Sequence, residues 1–205
     1  MKESISKVLD KLETQSNLEK TRTVDVPQKE RMLAITKETG ELLNMILRLR
    51  DAKTILEIGT STGYSTIWCA EAIYEKAGKI ITIENNPEKI KRAKENFQNA
   101  QVSDNITIKE GNAIDILNEL KNDESNHEFF NFVLIDADKE NIIKYFDLIL
   151  PMVSIGGVIV TDNMLYPEKY KREMKIFSDS LKTNDNVRTT TIPIGNGEEI
   201  TIKIK

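Results

Sequence analysis

Apolar and polar positions along the chain follow two rhythms, one helical and one of short near-continuous runs. Residues 4–15 place Ile5, Val8, Leu9 and Leu12 at helical spacing. A polar stretch containing Pro27 follows, and a longer helix is predicted from about Thr36 to Leu49, with Leu42, Leu43, Met45, Ile46, Leu47 and Leu49 on a broad apolar face. Basic residues in RLRDAK mark its C-terminal end. From Thr54 onward the pattern repeats. TILEI (54–58) is a strand, GTSTGYS a turn, and the next stretch is helical to Lys76. KIITIE (79–84) is the second strand, and Asn86-Pro87 opens a helix through Phe97 with Ile90, Ala93 and Phe97 inward. NITIKE, FFNFVLIDAD and GGVIVTDN read as further strands, separated by the helices AIDILNEL and ENIIKYFDLIL, with residues 168–182 helical after them.

Apolar strands each followed by a helix predict an α/β fold with a mostly parallel sheet and helices on both faces. The tail breaks the alternation. VRTTTIPIG and EEITIKIK alternate like half-buried strands around Asn196-Gly197, which predicts a C-terminal antiparallel hairpin. No repeat or low-complexity linker interrupts the chain. A single domain over 1–205 is therefore expected, with 1–50 a helical extension packing on it.

Composition narrows the classes. The 205 residues carry 29 Lys+Arg against 33 Asp+Glu, a net charge of -4, which excludes a nucleic-acid wrapper held by massed positive charge. The acidic excess sits in the middle of the chain, while both ends are weakly basic. A lone Cys69 excludes an intrachain disulfide framework and a thiolate-rich metal site, and its helical surroundings read as core. The single His127 lies in the polar stretch DESNHEF and receives no role. No apolar run is long enough to span a bilayer and nothing at the N-terminus resembles a signal peptide, so a cytoplasmic protein without membrane association is expected.

Candidate chemistry begins at the first strand–turn–helix junction. Gly59 and Gly63 bracket a tight turn where backbone can approach a ligand at a helix N-terminus. The turn lacks the middle glycine of a dinucleotide fingerprint, which weakens a dehydrogenase reading, and the lysine of a P-loop, which removes that reading. Glu57 at the strand end would repel a pyrophosphate but suits an ammonium. Glu84 ends the next strand, where a carboxylate commonly accepts from a ribose diol. Together they favour a cationic nucleoside cofactor, a description that S-adenosylmethionine fits. An ordinary tight turn and a surface acid are the bland alternatives.

The later strands deliver Asp136, Asp138 and Lys139, then Asp162 and Asn163, to the same predicted crevice. Asp136, Asp162 and Asn163 offer oxygen donors suited to Mg²⁺, Mn²⁺ or Ca²⁺. Strand-end caps are the competing reading. Lys139 beside them is either a counter-charge or a general base.

These residues, in LEIGTSTGYS, TIEN, EGNA, LIDADK, TDN and IPIGNGEEITI, resemble the cation-dependent class I O-methyltransferases of the catechol and caffeoyl-coenzyme A type, over residues 32–205. The resemblance implies a Rossmann-like class I methyltransferase fold and S-adenosylmethionine as cofactor. It implies cofactor contacts at Ile35, Glu57, Gly59, Thr60, Ser65, Glu84, Ala113, Asp136 and Asp138, metal ligands Asp136, Asp162 and Asn163, and catalytic roles for Lys139 and Asp136. Ile35 stands where plant relatives carry a threonine, which leaves only backbone contact there. Pro167 stands where they carry a substrate-contacting asparagine, which speaks against their coenzyme A pocket. Two acceptors stay open: a small catechol-like or phenolic hydroxyl, and a 5-hydroxylated wobble uridine of transfer RNA, which a small prokaryotic branch methylates. For the RNA case Lys20, Arg22, Lys29 and Arg31, with Lys169, Lys171, Arg172 and Lys175, would line the mouth. The resemblance also implies a homodimer. A cofactor-binding regulatory scaffold is the non-enzyme alternative, and it would not be expected to keep both the oxygen ligands and the lysine.

Overall fold

The computed structural model describes residues 1–205. Two N-terminal helices, α1 (Glu3–Lys20) and α2 (Lys37–Leu49), precede the alternating part. That part runs β1 (Thr54–Ile58), α3 (Tyr64–Ile73), β2 (Lys79–Glu84), α4 (Pro87–Ala100), β3 (Ile106–Glu110), α5 (Ala113–Asn122), β4 (Phe130–Ile135), α6 (Ile142–Ile149), β5 (Val153–Thr161) and α7 (Lys171–Lys182). The hairpin of β6 (Val187–Ile192) and β7 (Glu198–Lys203) closes the chain. The seven strands form one sheet in the order β3-β2-β1-β4-β5-β7-β6. Strands β1 to β5 are mutually parallel, and β7 inserts antiparallel between β5 and β6. This is the Rossmann-like class I methyltransferase fold.

The central strands read as unbroken apolar runs because both faces are covered. Ile55, Phe132, Leu134, Val158 and Val160 point toward α1 to α4, while Leu56, Ile58, Val133, Ile135 and Ile159 point toward α5, α6 and α7. All ten residues of α3 are buried, since α1 and α2 pack over its outer side. The N-terminal helices thus complete the core on that face. Ile5, Val8, Leu9 and Leu12 of α1, and Leu43 and Leu47 of α2, lie in the same cluster as Trp68 and Phe97. Gly40 lets α2 approach α3 closely, for a Cβ there would run into the Trp68 indole.

Several boundaries differ from the sequence expectation, among them these three. Helix α1 continues to Lys20 because its last turns bury polar groups, Ser16 and Glu19, which carry no hydrophobic signal. Strand β4 ends at Ile135, so the DAD segment belongs to the loop beyond it. Strand β5 begins at Val153, before the paired glycines, and its pairing with β4 is irregular between Phe130 and Phe132. No helix is long and apolar enough to cross a membrane.

Candidate active site

Because β1 to β5 are parallel, the site residues expected at the strand ends, Gly59, Glu84, Asp136 and Asp162 among them, emerge at one edge of the sheet, the C-terminal one. The order reverses between β1 and β4, and there the diverging connections open a crevice for a ligand. The ladder continues past the strands into the loops. Gly59 and Thr60 donate backbone N–H to Ile83, Asp136 to Ile58, and Asp162 to Ile135. These bonds fix the loop bases, and with them the side chains they carry.

On the β1–β2 side, Gly59 (φ 101°) and Gly63 (φ 89°) occupy the left-handed region that favours glycine. A Cβ on Gly59 would collide with the Asp136 carbonyl. Glu84 is half-buried and faces the turn. Its Oε2 accepts the Ser61 N–H at 2.8 Å, and Oε1 accepts those of Asn85 and Asn86 at 3.0 Å each. Ala113 opens α5, with Asn112 capping the helix by accepting from Ile114 and Asp115. Ile35 is buried with its side chain in the core.

Glu57 lies deeper than its sequence reading implies. It is fully buried, and its oxygens accept the hydroxyls of Ser65 (2.6 Å), Thr66 (2.5 Å) and Thr82 (2.5 Å). Burial raises its pKa, and the three hydroxyl donors pull it back. Glu57 and Ser65 thus form a polar brace beneath the glycine turn.

On the β4–β5 side, Lys139 is buried, 5% exposed, and its Nζ lies 3.7 Å from Asp136 Oδ1 with no hydrogen-bond partner. Burial raises the Asp136 pKa and Lys139 draws it down. Asp162 is 2% exposed and is pushed up to about 7, first by burial and then by the Asp136 charge. Asn163 stands in the left-handed region (φ 68°) and donates both its N–H and its side-chain amide to Asp162. Asp138 accepts from Tyr145 and Asn141, and it is exposed. Beyond Asn163, Leu165 and Tyr166 are exposed apolar side chains on the rim.

One residue of this group lies in the matched segment IPIGNGEEITI but receives no role from the sequence. Glu198 is fully buried, accepts the Thr39 hydroxyl at 2.9 Å, and is pushed up to about 10 by burial and by the Asp162 charge. A doubled acid opening a hairpin strand reads as exposed polarity, and nothing in EEITIKIK marks it otherwise.

No group of three or more His, Cys, Asp or Glu side chains is arranged to hold a metal ion. The candidate donors are two carboxylates and an amide. Of the basic residues expected at an RNA mouth, Lys171 pairs with Glu168 and Lys175 with Asp179, as solvated surface pairs do.

The buried acids fix a pH dependence for the cation-free protein. Asp162 and Glu198 sit above their ordinary values of 3.8 and 4.5, so the folded state retains protons that the unfolded chain releases. Stability is therefore expected to fall as pH rises, through about 7 for Asp162 and onward toward about 10 for Glu198. Melting temperatures in chelator across that range would show the decline, and Glu198→Leu should flatten its upper part. A flat profile in the unaltered protein would contradict these shifts.

The chain matches the O-methyltransferase family over residues 7–204. It is 33% identical over 189 residues to a caffeoyl-CoA O-methyltransferase of Medicago sativa, covering 85% of this chain and 76% of that one. It is 32% identical over 203 residues to caffeoyl-CoA O-methyltransferase 1 of Arabidopsis thaliana, covering 92% and 78%. Among solved structures, the O-methyltransferase TomG from Streptomyces achromogenes, in complex with SAM, superposes with a TM-score of 0.80 at 29% identity, covering 100% of this chain and 91% of that one. The O-methyltransferase from Bacillus cereus in complex with SAH gives 0.79 at 25% identity, covering 99% and 91%.

Proposed function

The chain belongs to the O-methyltransferase family, and from that premise we propose that it transfers the methyl group of S-adenosylmethionine to a hydroxyl of a small phenolic or catechol-like acceptor. One observation carries the placement of the chemistry. The buried Lys139 Nζ, without a hydrogen-bond partner, lies beside Asp136 on the sheet edge that also holds the glycine turn.

When bound, S-adenosylmethionine supplies an electrophilic methyl on a sulfonium centre. Gly59 and Thr60 would offer it close backbone approach, Glu84 would accept from its ribose hydroxyls, and Ala113 would line its base. Ile35 contributes backbone, Asp138 a cofactor-side carboxylate, and the Glu57–Ser65 brace keeps the turn in shape. The half-buried Asp136 and buried Asp162 set two acids close together in a dry place, and Asn163 adds an amide oxygen. That hard-oxygen set fits a divalent cation, Mg²⁺ foremost, with Mn²⁺ and Ca²⁺ matching the same donors. When bound, the cation supplies charge that makes an acceptor hydroxyl more acidic. Lys139 Nζ, 3.7 Å from Asp136, takes the hydroxyl proton. Leu165 and Tyr166 give the acceptor ring an apolar rim. Holding oxygen and methyl in line at contact distance provides much of the acceleration.

The test is incubation with methyl-labelled S-adenosylmethionine and Mg²⁺ against separate pools of small phenols and total transfer RNA, with mass analysis of the products. Label is expected in an O-methylated phenol. Label in transfer RNA alone would move the acceptor to the wobble uridine, and label in neither pool would count against both.

A further inference from the structure

The antiparallel register pairs Thr161 of β5 with Glu199 of β7, and one step further it sets Asp162 opposite Glu198 on the same face. Cross-strand neighbours in this position stand within side-chain reach, and two like charges there repel. Glu198 is held on the far side by α2. Thr39 donates its hydroxyl to Oε1 at 2.9 Å, and Thr39 in turn lies 3.3 Å from the Thr36 hydroxyl. The other oxygen, Oε2, is buried with no hydrogen-bond partner, and the register leaves it on the side of the sheet that Asp162 shares. The next residue shows the contrast. Glu199 points to the opposite face, where the hydroxyls of Ser178, Thr189 and Thr191 satisfy it, so it plays no part in the site.

We propose that Glu198 is a positioning residue: anchored by Thr39, its carboxyl buttresses Asp162 from across the sheet and fixes the orientation in which Asp162 offers its oxygens to a cation. The inference rests on the reading of Asp162 as a cation ligand. It also gives α2 a task beyond core packing, since Thr39 connects that helix to the site. Asn163 grips Asp162 from the loop side, through its N–H and amide, and Glu198 holds it from the strand side. A ligand held from two directions keeps one orientation.

The experiment is calorimetric titration of the chelated full-length protein with MnCl₂ alone, and separately with S-adenosylhomocysteine, for the unaltered chain, Asp162→Asn, Glu198→Leu and Glu198→Gln. Loss of a partner that orients a metal ligand weakens metal binding about tenfold to a hundredfold, and this is the loss expected for Glu198→Leu. S-adenosylhomocysteine affinity should be unchanged. The melting temperature should not fall, because leucine leaves no unpaired buried charge and Thr39 keeps Thr36 as a partner. Glu198→Gln can still accept from Thr39 and donate to Asp162, so it should restore Mn²⁺ binding. Mn²⁺ binding by Glu198→Leu equal to that of the unaltered chain would overturn the inference. So would a glutamine variant as weak as the leucine variant. If Asp162→Asn binds Mn²⁺ normally, the ligand reading itself fails and this inference with it. If Asp162→Asn loses binding while Glu198→Leu keeps it, only the inference fails.

Discussion

Lys139→Met is expected to lower kcat about 100- to 10,000-fold, the range a positioned general base contributes, while leaving S-adenosylhomocysteine binding intact. Methionine matches the stem of the lysine in volume, and the buried ammonium it removes has no hydrogen-bond partner to lose. The fold should therefore survive, although Asp136 forfeits its cationic neighbour at 3.7 Å. Lys139→Arg separates the two roles open to this residue. Arginine retains the positive charge but does not release its proton near neutral pH. A counter-charge role predicts that the arginine variant works, whereas a base role predicts that both variants fail. Steady-state kinetics with saturating cofactor decides between them. Activity in Lys139→Arg within about tenfold of the unaltered enzyme would remove Lys139 from the chemistry.

The second large effect is expected at Gly59. With φ at 101°, any side chain there is strained, and the added methyl of Gly59→Ala would strike the carbonyl of Asp136. Strain and clash together should cost about 3 kcal/mol or more, measurable as a lower urea midpoint. The position is also a hinge between the two halves of the site. Relief of the clash must move either the glycine turn or the loop that carries Asp136, so cofactor binding and methyl transfer should both suffer. A variant within about 1 kcal/mol of the original stability, with unchanged S-adenosylhomocysteine affinity, would contradict the close approach seen here.

Much of this arrangement is legible in the residues. Strands β1, β2, β4 and β5 declare themselves through apolar runs that only a sheet covered on both faces requires, and Asn196-Gly197 marks the closing hairpin. In a parallel sheet the residues ending each strand share one edge, and this links Glu84, Asp136 and Asp162 before any coordinates are known. Depth is less legible. Glu57 reads as a carboxylate facing the crevice, yet Ser65, Thr66 and Thr82, dispersed over 65–82, surround it entirely. Glu198 and Glu199 are adjacent identical acids, and only strand alternation within the folded sheet sends one to the site and the other to α7. Helix α1 runs past its predicted end because Glu19 is buried, accepting the Met32 N–H at 2.9 Å, a long-range contact with no periodic signature. Buried polar groups of this kind break the hydrophobic rhythm on which sequence reading depends.

The most direct test of the account is the transfer itself. The unaltered protein and Asp162→Ala are stripped with chelator and incubated with methyl-labelled S-adenosylmethionine and a catechol, with and without Mg²⁺, and the product is identified by mass spectrometry. An O-methylated catechol is expected to form with Mg²⁺ and the unaltered chain, and to fall by about 100-fold or more in Asp162→Ala. Label that reaches no hydroxyl oxygen, or transfer that proceeds equally in Asp162→Ala, would contradict it.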